Sequence, residues 1–203
     1  MDEIVKIIGN SSICTYCGVF RRQALEKGAA ILNATKLATG HNADDMAETV
    51  ILNFLRGDHF RLSKCVDVMT ADDEGFSLPR FKPFKYTYEK EIVMYAHHKK
   101  LHYFSVECTY TEWAYRSFVR DFLKDLERNS PGTILDIMHA GELIDVKEDG
   151  KVAKLPSEKF KCSVCGSLTN KKICKGCLLL QQLSKAKPKI MLETEKPEIS
   201  KQI

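Results

Sequence analysis

Lys36-Leu37-Ala38-Thr39-Gly40-His41-Asn42-Ala43-Asp44-Asp45-Met46-Ala47-Glu48-Thr49 is the stretch whose reading decides the fold. Its first five residues read as a short buried strand. The next begin a helix: Met46, Ala47, Val50, Ile51, Phe54 and Leu55 form one apolar stripe. Asn42 is a good N-cap, Asp44 and Asp45 fall in the first turn, and Gly57 stops the helix. A strand that ends in glycine and passes at once into a helix N-terminus is the usual setting of a ligand site in an α/β sheet.

Outward from this run, the chain alternates between the two periodicities. Residues 18–32 carry Val19, Phe20, Ala24, Leu25, Ala29 and Leu32 at helical spacing, with Gly28 weakening the end. Just ahead of them stand Cys14 and Cys17. Arg61-Leu62-Ser63 and Phe76-Ser77-Leu78 read as strands around the acidic turn Asp72-Asp73-Glu74-Gly75, and Pro79 and Pro83 keep Arg80-Phe81-Lys82 out of a regular helix. Thr87 is expected to cap a helix that turns Ile92, Tyr95 and Ala96 inward and closes at Lys99 and Lys100. Tyr103-Phe104-Ser105-Val106 is a β-like run leading to Cys108. Residues 113–128 read as a helix with Trp113, Phe118, Phe122 and Leu126 on its core side. Ser130 and Pro131 start another, with Ile134, Leu135, Ile137 and Met138 facing the core.

This alternation predicts an α/β sheet. Only two sheet strands are convincing, so the fold expected is a partial doubly wound domain over residues 1–145. A polar linker over 146–159, a cysteine-rich module over 160–182 and a disordered tail over 183–203 complete the expected layout.

Composition limits the function classes. The 203 residues carry a net charge of +4, and 44% are hydrophobic, as in ordinary globular chains. No apolar run approaches the roughly 18 residues a membrane helix needs, and the first residues lack the pattern of a signal peptide, so no membrane partner and a cytoplasmic location are expected. Residues 150–190 hold ten lysines against one acid, Glu158. That excess suits a polyanion, or a solvated tail.

Eight cysteines in a reducing compartment point to metal ligands or reactive thiols. Cys65 stands alone and reads as a small buried hydrophobe. Cys162-Ser-Val-Cys165, eight residues, then Cys174-Lys-Gly-Cys177 is the spacing of a four-thiolate ribbon that holds structural Zn²⁺ with no open position. Metal binding, worth about 10–16 kcal/mol in small structural sites, would supply its folding energy. Around the opening stretch, Gly40 and the helix amides suit an anion, and the acids suit Mg²⁺. The plainer alternative makes Asn42 and Asp45 caps and His41 a packed loop residue. Cys14, Cys17 and Cys108 can bind three irons of a [4Fe–4S] cluster, can carry and resolve a persulfide, or can be a redox pair with an unrelated third thiol. Spacing does not choose among these.

Taken together, Cys14-Thr-Tyr-Cys17-Gly-Val-Phe-Arg-Arg-Gln-Ala-Leu, Ala38-Thr-Gly-His-Asn-Ala-Asp-Asp-Met-Ala-Glu-Thr, Lys82-Pro-Phe-Lys-Tyr-Thr-Tyr-Glu-Lys-Glu, Cys108-Thr-Tyr and the closing ribbon resemble the cytosolic tRNA 2-thiouridylases, the cytoplasmic tRNA 2-thiolation family related to TtuA and TtcA. The resemblance runs from about Asp2 to Leu183. It implies an adenine-nucleotide α-hydrolase-like (PP-loop) domain. ATP with Mg²⁺ would activate C2 of the wobble uridine of tRNA, and sulfur would replace the oxygen. A ubiquitin-related modifier would supply the sulfur, and a second homologous subunit would assist.

It further implies a [4Fe–4S] cluster on Cys14, Cys17 and Cys108, with a persulfide route through the same cysteines as the competing mechanism. Cys14, Cys108 and Asp45 become the catalytic candidates. Gly40, His41, Asp44 and Asp45 match the family's second nucleotide-site motif. The family's phosphate loop, Ser-Gly-Gly-x-Asp-Ser, has no counterpart in these residues. The expectation is therefore an N-terminally truncated enzyme that lacks its first strands. The alternative is a non-catalytic zinc- and tRNA-binding module.

Overall fold

The computed structural model describes residues 1–9, 12–62, 65–70, 78–110, 114–144 and 160–194. The chain divides into two compact units, one of Asn33–Pro156 and one of Met1–Leu32 with Ser157–Ile203. No helix among the described residues is long and apolar enough to cross a membrane.

The Asn33–Pro156 unit is built on a short mixed sheet. Strand β1 is Leu37–Ala38, β2 is Met69–Thr70 and β3 is Arg80–Phe81. The order is β1-β3-β2, with β1 parallel and β2 antiparallel to β3. Leu37 pairs with Arg80, and Phe81 pairs with both Ala38 and Met69. The prolines flanking β3 explain its brevity: neither Pro79 nor Pro83 has an N–H for the ladder. The strand expected from Lys36 to Gly40 is thus present over Leu37–Ala38, but it is not buried: Leu37 is half-buried and Ala38 exposed.

Helix α3, Ala43–Leu55, follows β1 as expected and is held at its start by a capping box. Asp45 N–H donates to Asn42 Oδ1 at 3.0 Å, and Asn42 N–H donates to Asp45 Oδ2 at 3.2 Å. The apolar face of α3 is the core of the unit, except that Phe54 and Leu55, expected on it, are exposed and Leu52 is buried instead. Ala43, Ala47 and Leu52 pack with Val119, Leu123 and Ile134, from helices α6 (Tyr115–Asn129) and α7 (Thr133–Leu143). Met46 and Val50 pack with Leu62, Val66 and Met138. Gly141 lets α7 lie close against α3: a Cβ there would stand 2.7 Å from Val50 Cγ2.

Several local expectations are corrected. Arg61 and Leu62 belong to a helical turn, α4 (His59–Leu62), because Asp58 caps it through its side chain and its carbonyl. Phe76 and Ser77 lie outside the described residues, and Leu78 is not in a strand. Tyr103–Val106 is in no strand, and Phe104 is 90% exposed. β propensity needs a pairing neighbour, and among the described residues this run has none. Helix α5 (Glu89–His98) is capped at Tyr88, not Thr87, with Glu91 accepting from Tyr88 N–H at 3.0 Å. Ile92 and Ala96 are half-buried, but Tyr95 is exposed.

On α6 the core side is Val119 and Leu123, with Leu126 half-buried. Phe118 and Phe122 are 67% and 52% exposed, and Trp113 lies outside the described residues. The apolar arc of α6 is wider than the stripe that α3 and α7 cover. Before α7, Glu127 rather than Ser130 serves as the cap, accepting from the N–H groups of Gly132 and Ile134 at 2.7 and 2.8 Å. Gly132 takes φ 100°, which favours glycine. Ile134, Leu135, Ile137 and Met138 do face the core.

The second unit contains α1 (Asp2–Ile8), α2 (Ile13–Ile31), a two-stranded antiparallel ribbon of β4 (Phe160–Lys161) and β5 (Leu168–Thr169), and α8 (Lys175–Thr194). Tyr16, Leu179 and Leu183 form its apolar core, with Ile4, Ile7, Ile8, Val19 and Phe20 packed on them. This core explains why residues 1–32 join the ribbon's unit. The expected linker, 146–159, lies outside the described residues, as do 195–203 of the tail. Residues 183–194 continue α8.

Replacing Gly141 with Ala should cost about 1–3 kcal/mol through overpacking. Gly28→Ala, in α2 with open space around it, should gain roughly 0.5–1 kcal/mol. Urea unfolding of the two full-length variants measures both.

Candidate functional site

The ribbon carries the best-defined site. Gly166, at φ 70°, turns the first knuckle, where its N–H donates to the carbonyl of Cys162 at 2.9 Å. The second knuckle opens α8. The four sulfurs of Cys162, Cys165, Cys174 and Cys177 lie within 4.8 Å of one another. Cys162 and Cys177 Sγ are 3.9 Å apart, and Cys165 and Cys174 Sγ 3.6 Å. Four thiolates at about 2.3 Å from a tetrahedral ion would be about 3.8 Å apart, so the donor set fits such an ion.

Backbone N–H groups point at the sulfurs. Cys174 N–H donates to Cys162 Sγ at 3.3 Å, and Cys177 N–H to Cys174 Sγ at 3.4 Å. Hydrogen bonds from the backbone of Cys174 and then Cys165 pull the Cys162 thiol down to about 6. Burial, and then bonds shared with the other three thiols, push Cys177 up to about 12.

Gln23 was not foreseen from sequence. From α2 it donates to Cys165 Sγ at 3.4 Å and Cys174 Sγ at 3.7 Å. Gly176 makes room for it, since a Cβ there would stand 2.6 Å from Gln23 Oε1. A polar residue on a mostly polar helix face carries no mark of this role.

The first CxxC is placed differently from expectation. Cys14 and Cys17 lie inside the first turns of α2, behind Ser12, which takes the left-handed conformation at φ 62°. Cys14 is exposed and Cys17 half-buried. The helix starts before the pair because Ile13 and Tyr16 supply buried positions in its first turns. Cys108 is also exposed, but it belongs to the Asn33–Pro156 unit, so the three-cysteine set draws on both units. Cys65 is half-buried, its Sγ donating to the Leu62 carbonyl at 3.2 Å, and burial pushes its thiol up.

At the start of α3, a Cβ on Gly40 would meet open space. His41 Nδ1 is 2.9 Å from Thr39 Oγ1. Asp45 takes part in the capping box, and Asp44 Oδ2 accepts from Glu89 N–H, at the start of α5, at 2.7 Å. Ala43 N–H also donates to the Thr87 carbonyl at 3.0 Å, so the starts of α3 and α5 are laced together. The capping roles of Asn42 and Asp45 are therefore real. One oxygen of each aspartate makes no hydrogen bond among the described residues. Asp44 also lines an open groove of about 890 Å³, with Tyr88, Glu89, Lys124, Glu127 and Arg128.

Glu48, one turn further along α3, is a charged residue only 2% exposed. Arg120 Nε donates to its Oε1 at 2.6 Å, and Arg116 Nε lies 3.5 Å from its Oε2. Burial pushes its carboxyl up, while Arg120 and Arg116 pull against that shift. A glutamate on the edge of an apolar stripe reads as solvated unless the arginines of another helix are known to face it.

Cys174→Ala should abolish metal uptake at the ribbon and loosen residues 160–180, while the Asn33–Pro156 unit keeps its protection. Metal analysis with hydrogen exchange on the full chain checks both.

Residues 6–127 match the PP-loop domain model, and residues 160–191 match a zinc-ribbon model. The chain is 56% identical to the cytoplasmic tRNA 2-thiolation protein 1 of Arabidopsis thaliana over 190 residues, covering 94% of this chain and 52% of that protein. It is 55% identical to the protein of the same name from Oryza sativa subsp. japonica, over 94% of this chain and 51% of that one. Among solved structures it is similar to the U34-tRNA thiolase NcsA from Methanococcus maripaludis with its [4Fe–4S] cluster. There the TM-score is 0.63 and the identity 29%, over 84% of this chain and 53% of that chain. The chain thus spans about half the length of the curated relatives it matches. Over nearly its whole length the chain is similar to proteins named cytoplasmic tRNA 2-thiolation protein 1, and it belongs to the PP-loop family.

Proposed function

We propose that this chain carries the sulfur-handling part of a cytoplasmic enzyme that converts the wobble uridine of tRNA to 2-thiouridine. The observation that carries the reading is the 56% identity extending over 94% of the chain, through both cysteine motifs and the Gly40–Thr49 run. In the reaction proposed, the C2 oxygen of uridine attacks the α-phosphorus of ATP and pyrophosphate leaves. A sulfur nucleophile then adds to C2, and AMP departs with the oxygen.

Within this scheme Asp45, with Asp44, offers the carboxylate oxygens left over from helix capping to the Mg²⁺ that accompanies the nucleotide. Gly40 and His41 border the same helix start. Cys14, Cys17 and Cys108 hold the sulfur site. All three thiols are at least partly accessible, and Cys14 and Cys17 sit in the first turns of α2. Three thiolates suit a [4Fe–4S] cluster, which would supply an iron with a position open to sulfur. The ribbon's four thiolates hold Zn²⁺ as a closed structural site. The exposed Lys161, Lys171, Lys172, Lys175 and Lys185 offer the tRNA a cationic surface. A second homologous subunit and a ubiquitin-related sulfur donor complete the proposed assembly.

After anaerobic reconstitution the full chain should hold about four irons and four sulfides, and Cys108→Ala should lose most of both. A full complement in that variant would remove Cys108 from the set. Binding of tRNA should weaken steeply with salt, by roughly 0.7–0.9 in log K per log salt for each phosphate contacted. Affinity indifferent to salt would count against the polyanion surface. A non-catalytic module predicts the same tRNA binding without uptake of ATP and Mg²⁺, which calorimetry distinguishes.

A further inference from the structure

We infer that Arg116 and Arg120 form a phosphate-binding pair, braced from behind by Glu48. The two arginines stand four residues apart on α6, beside Val119 and Leu123, and so share the side of the helix that meets α3. Glu48 reaches them from α3. Its carboxylate is almost wholly buried, whereas the side chains of Arg116 and Arg120 keep 45% and 40% of their surface.

The mode of contact matters. Both arginines approach Glu48 through Nε, at 3.5 and 2.6 Å. Among the described residues their Nη groups make no hydrogen bond to protein. A guanidinium that serves only as a counter-ion to a carboxylate is commonly bidentate. Here the carboxylate accepts a hydrogen bond from Arg120 Nε, while its buried Oε2 makes no hydrogen bond and meets Arg116 only as an ion-pair partner.

Neutralisation does not require both. One arginine balances Glu48, and Arg120 at 2.6 Å suffices; Arg116 is surplus to it. Two half-exposed forks beside a buried anion, Arg120 fixed to it by a hydrogen bond and Arg116 drawn to it by charge, are donors placed for a tetrahedral oxyanion. Among the described residues, Asp45 and Glu89 are the further acids that act on the charge of Arg120. Glu89 lies 3.9 Å from Lys124, and Asp45 spends one oxygen on Asn42 N–H. The free aspartate oxygen suits the divalent ion that accompanies polyphosphates. The pair follows from this geometry alone. Only the source of its phosphate, a nucleotide or the tRNA backbone, rests on the function proposed above.

The test uses the full chain with Arg116→Ala, Arg120→Lys and Glu48→Gln. Arg120→Lys keeps the charge beside Glu48 and removes the fork. The first probe is inorganic pyrophosphate with Mg²⁺, followed by calorimetry. The parent should bind it, and Arg116→Ala and Arg120→Lys should each bind about tenfold more weakly, the effect of one charge-assisted hydrogen bond. Thermal melting should show both still folded. Glu48→Gln keeps an acceptor for Nε and should lie between them and the parent.

The same series with ATP and with tRNA identifies the source. Loss in the ATP arm alone assigns the pair to the nucleotide. In the tRNA arm, loss of about one phosphate's worth of salt slope in Arg116→Ala, with weaker binding in Arg120→Lys, assigns it to the backbone. A parent that ignores pyrophosphate, or folded variants that bind it like the parent, would overturn the pair and leave the thiolation reading standing. A parent that binds pyrophosphate through these arginines but takes up neither ATP nor tRNA would keep the pair and defeat that reading.

Discussion

Burial of α3 is the constraint on which the larger unit depends. Ala43, Met46, Ala47, Val50 and Leu52 are each nearly closed to solvent between α6, α7 and the turn at Leu62. Close approach is possible because the contacting residues are small, Ala43 and Ala47 on α3 and Gly141 on α7. Packing at this density leaves no slack, so the position of the α3 N-terminus, and of everything at it, is set by the core. The capping box then fixes Asn42 and Asp45, and Asp44 draws the start of α5 to the same point.

One charged residue interrupts this apolar interface. An isolated carboxylate at Glu48 would be costly, and the structure meets the cost with arginines from α6. The ion pair ties the two helices in register as well as in contact. Lys85 and Glu142 repeat the device between the segment before α5 and the end of α7, with Tyr86 OH also donating to Glu142 at 2.9 Å. Burial works against the charge on Lys85, but the Glu142 carboxylate outweighs it and holds its pKa up. Polar contacts of this kind add directionality that apolar packing lacks.

The ribbon is held by a different means. Among the described residues, only Ile173 packs with the cysteines in its small cluster, so a metal and the N–H groups aimed at sulfur add what the short β4–β5 ladder and that cluster do not supply. Gln23 adds a side-chain donor to two of the thiols. It links the ribbon to α2, the helix that also carries Cys14 and Cys17. The metal site and the first CxxC are thus supported by one unit and one helix.

Sequence by itself determined what depends on local spacing. Two CxxC knuckles eight residues apart can close on one ion whatever surrounds them. The strand, glycine and capped helix of residues 36–55 and the inward face of α7 were likewise legible from periodicity and capping chemistry. The fold class and the PP-loop family followed from these and from the motifs that carry the family resemblance. Tertiary structure alone decided which side of α6 is buried, because Phe118 and Phe122 are as apolar as Val119 and Leu123 and only the neighbours distinguish them. It alone decided that Tyr103–Val106 stays out of the sheet, since strand formation needs a partner. It alone gave Glu48, Gln23 and Arg116 their roles. A polar side chain acquires meaning from what faces it, and residues 72 or more positions apart, as Glu48 and Arg120 are, meet only when the chain has folded.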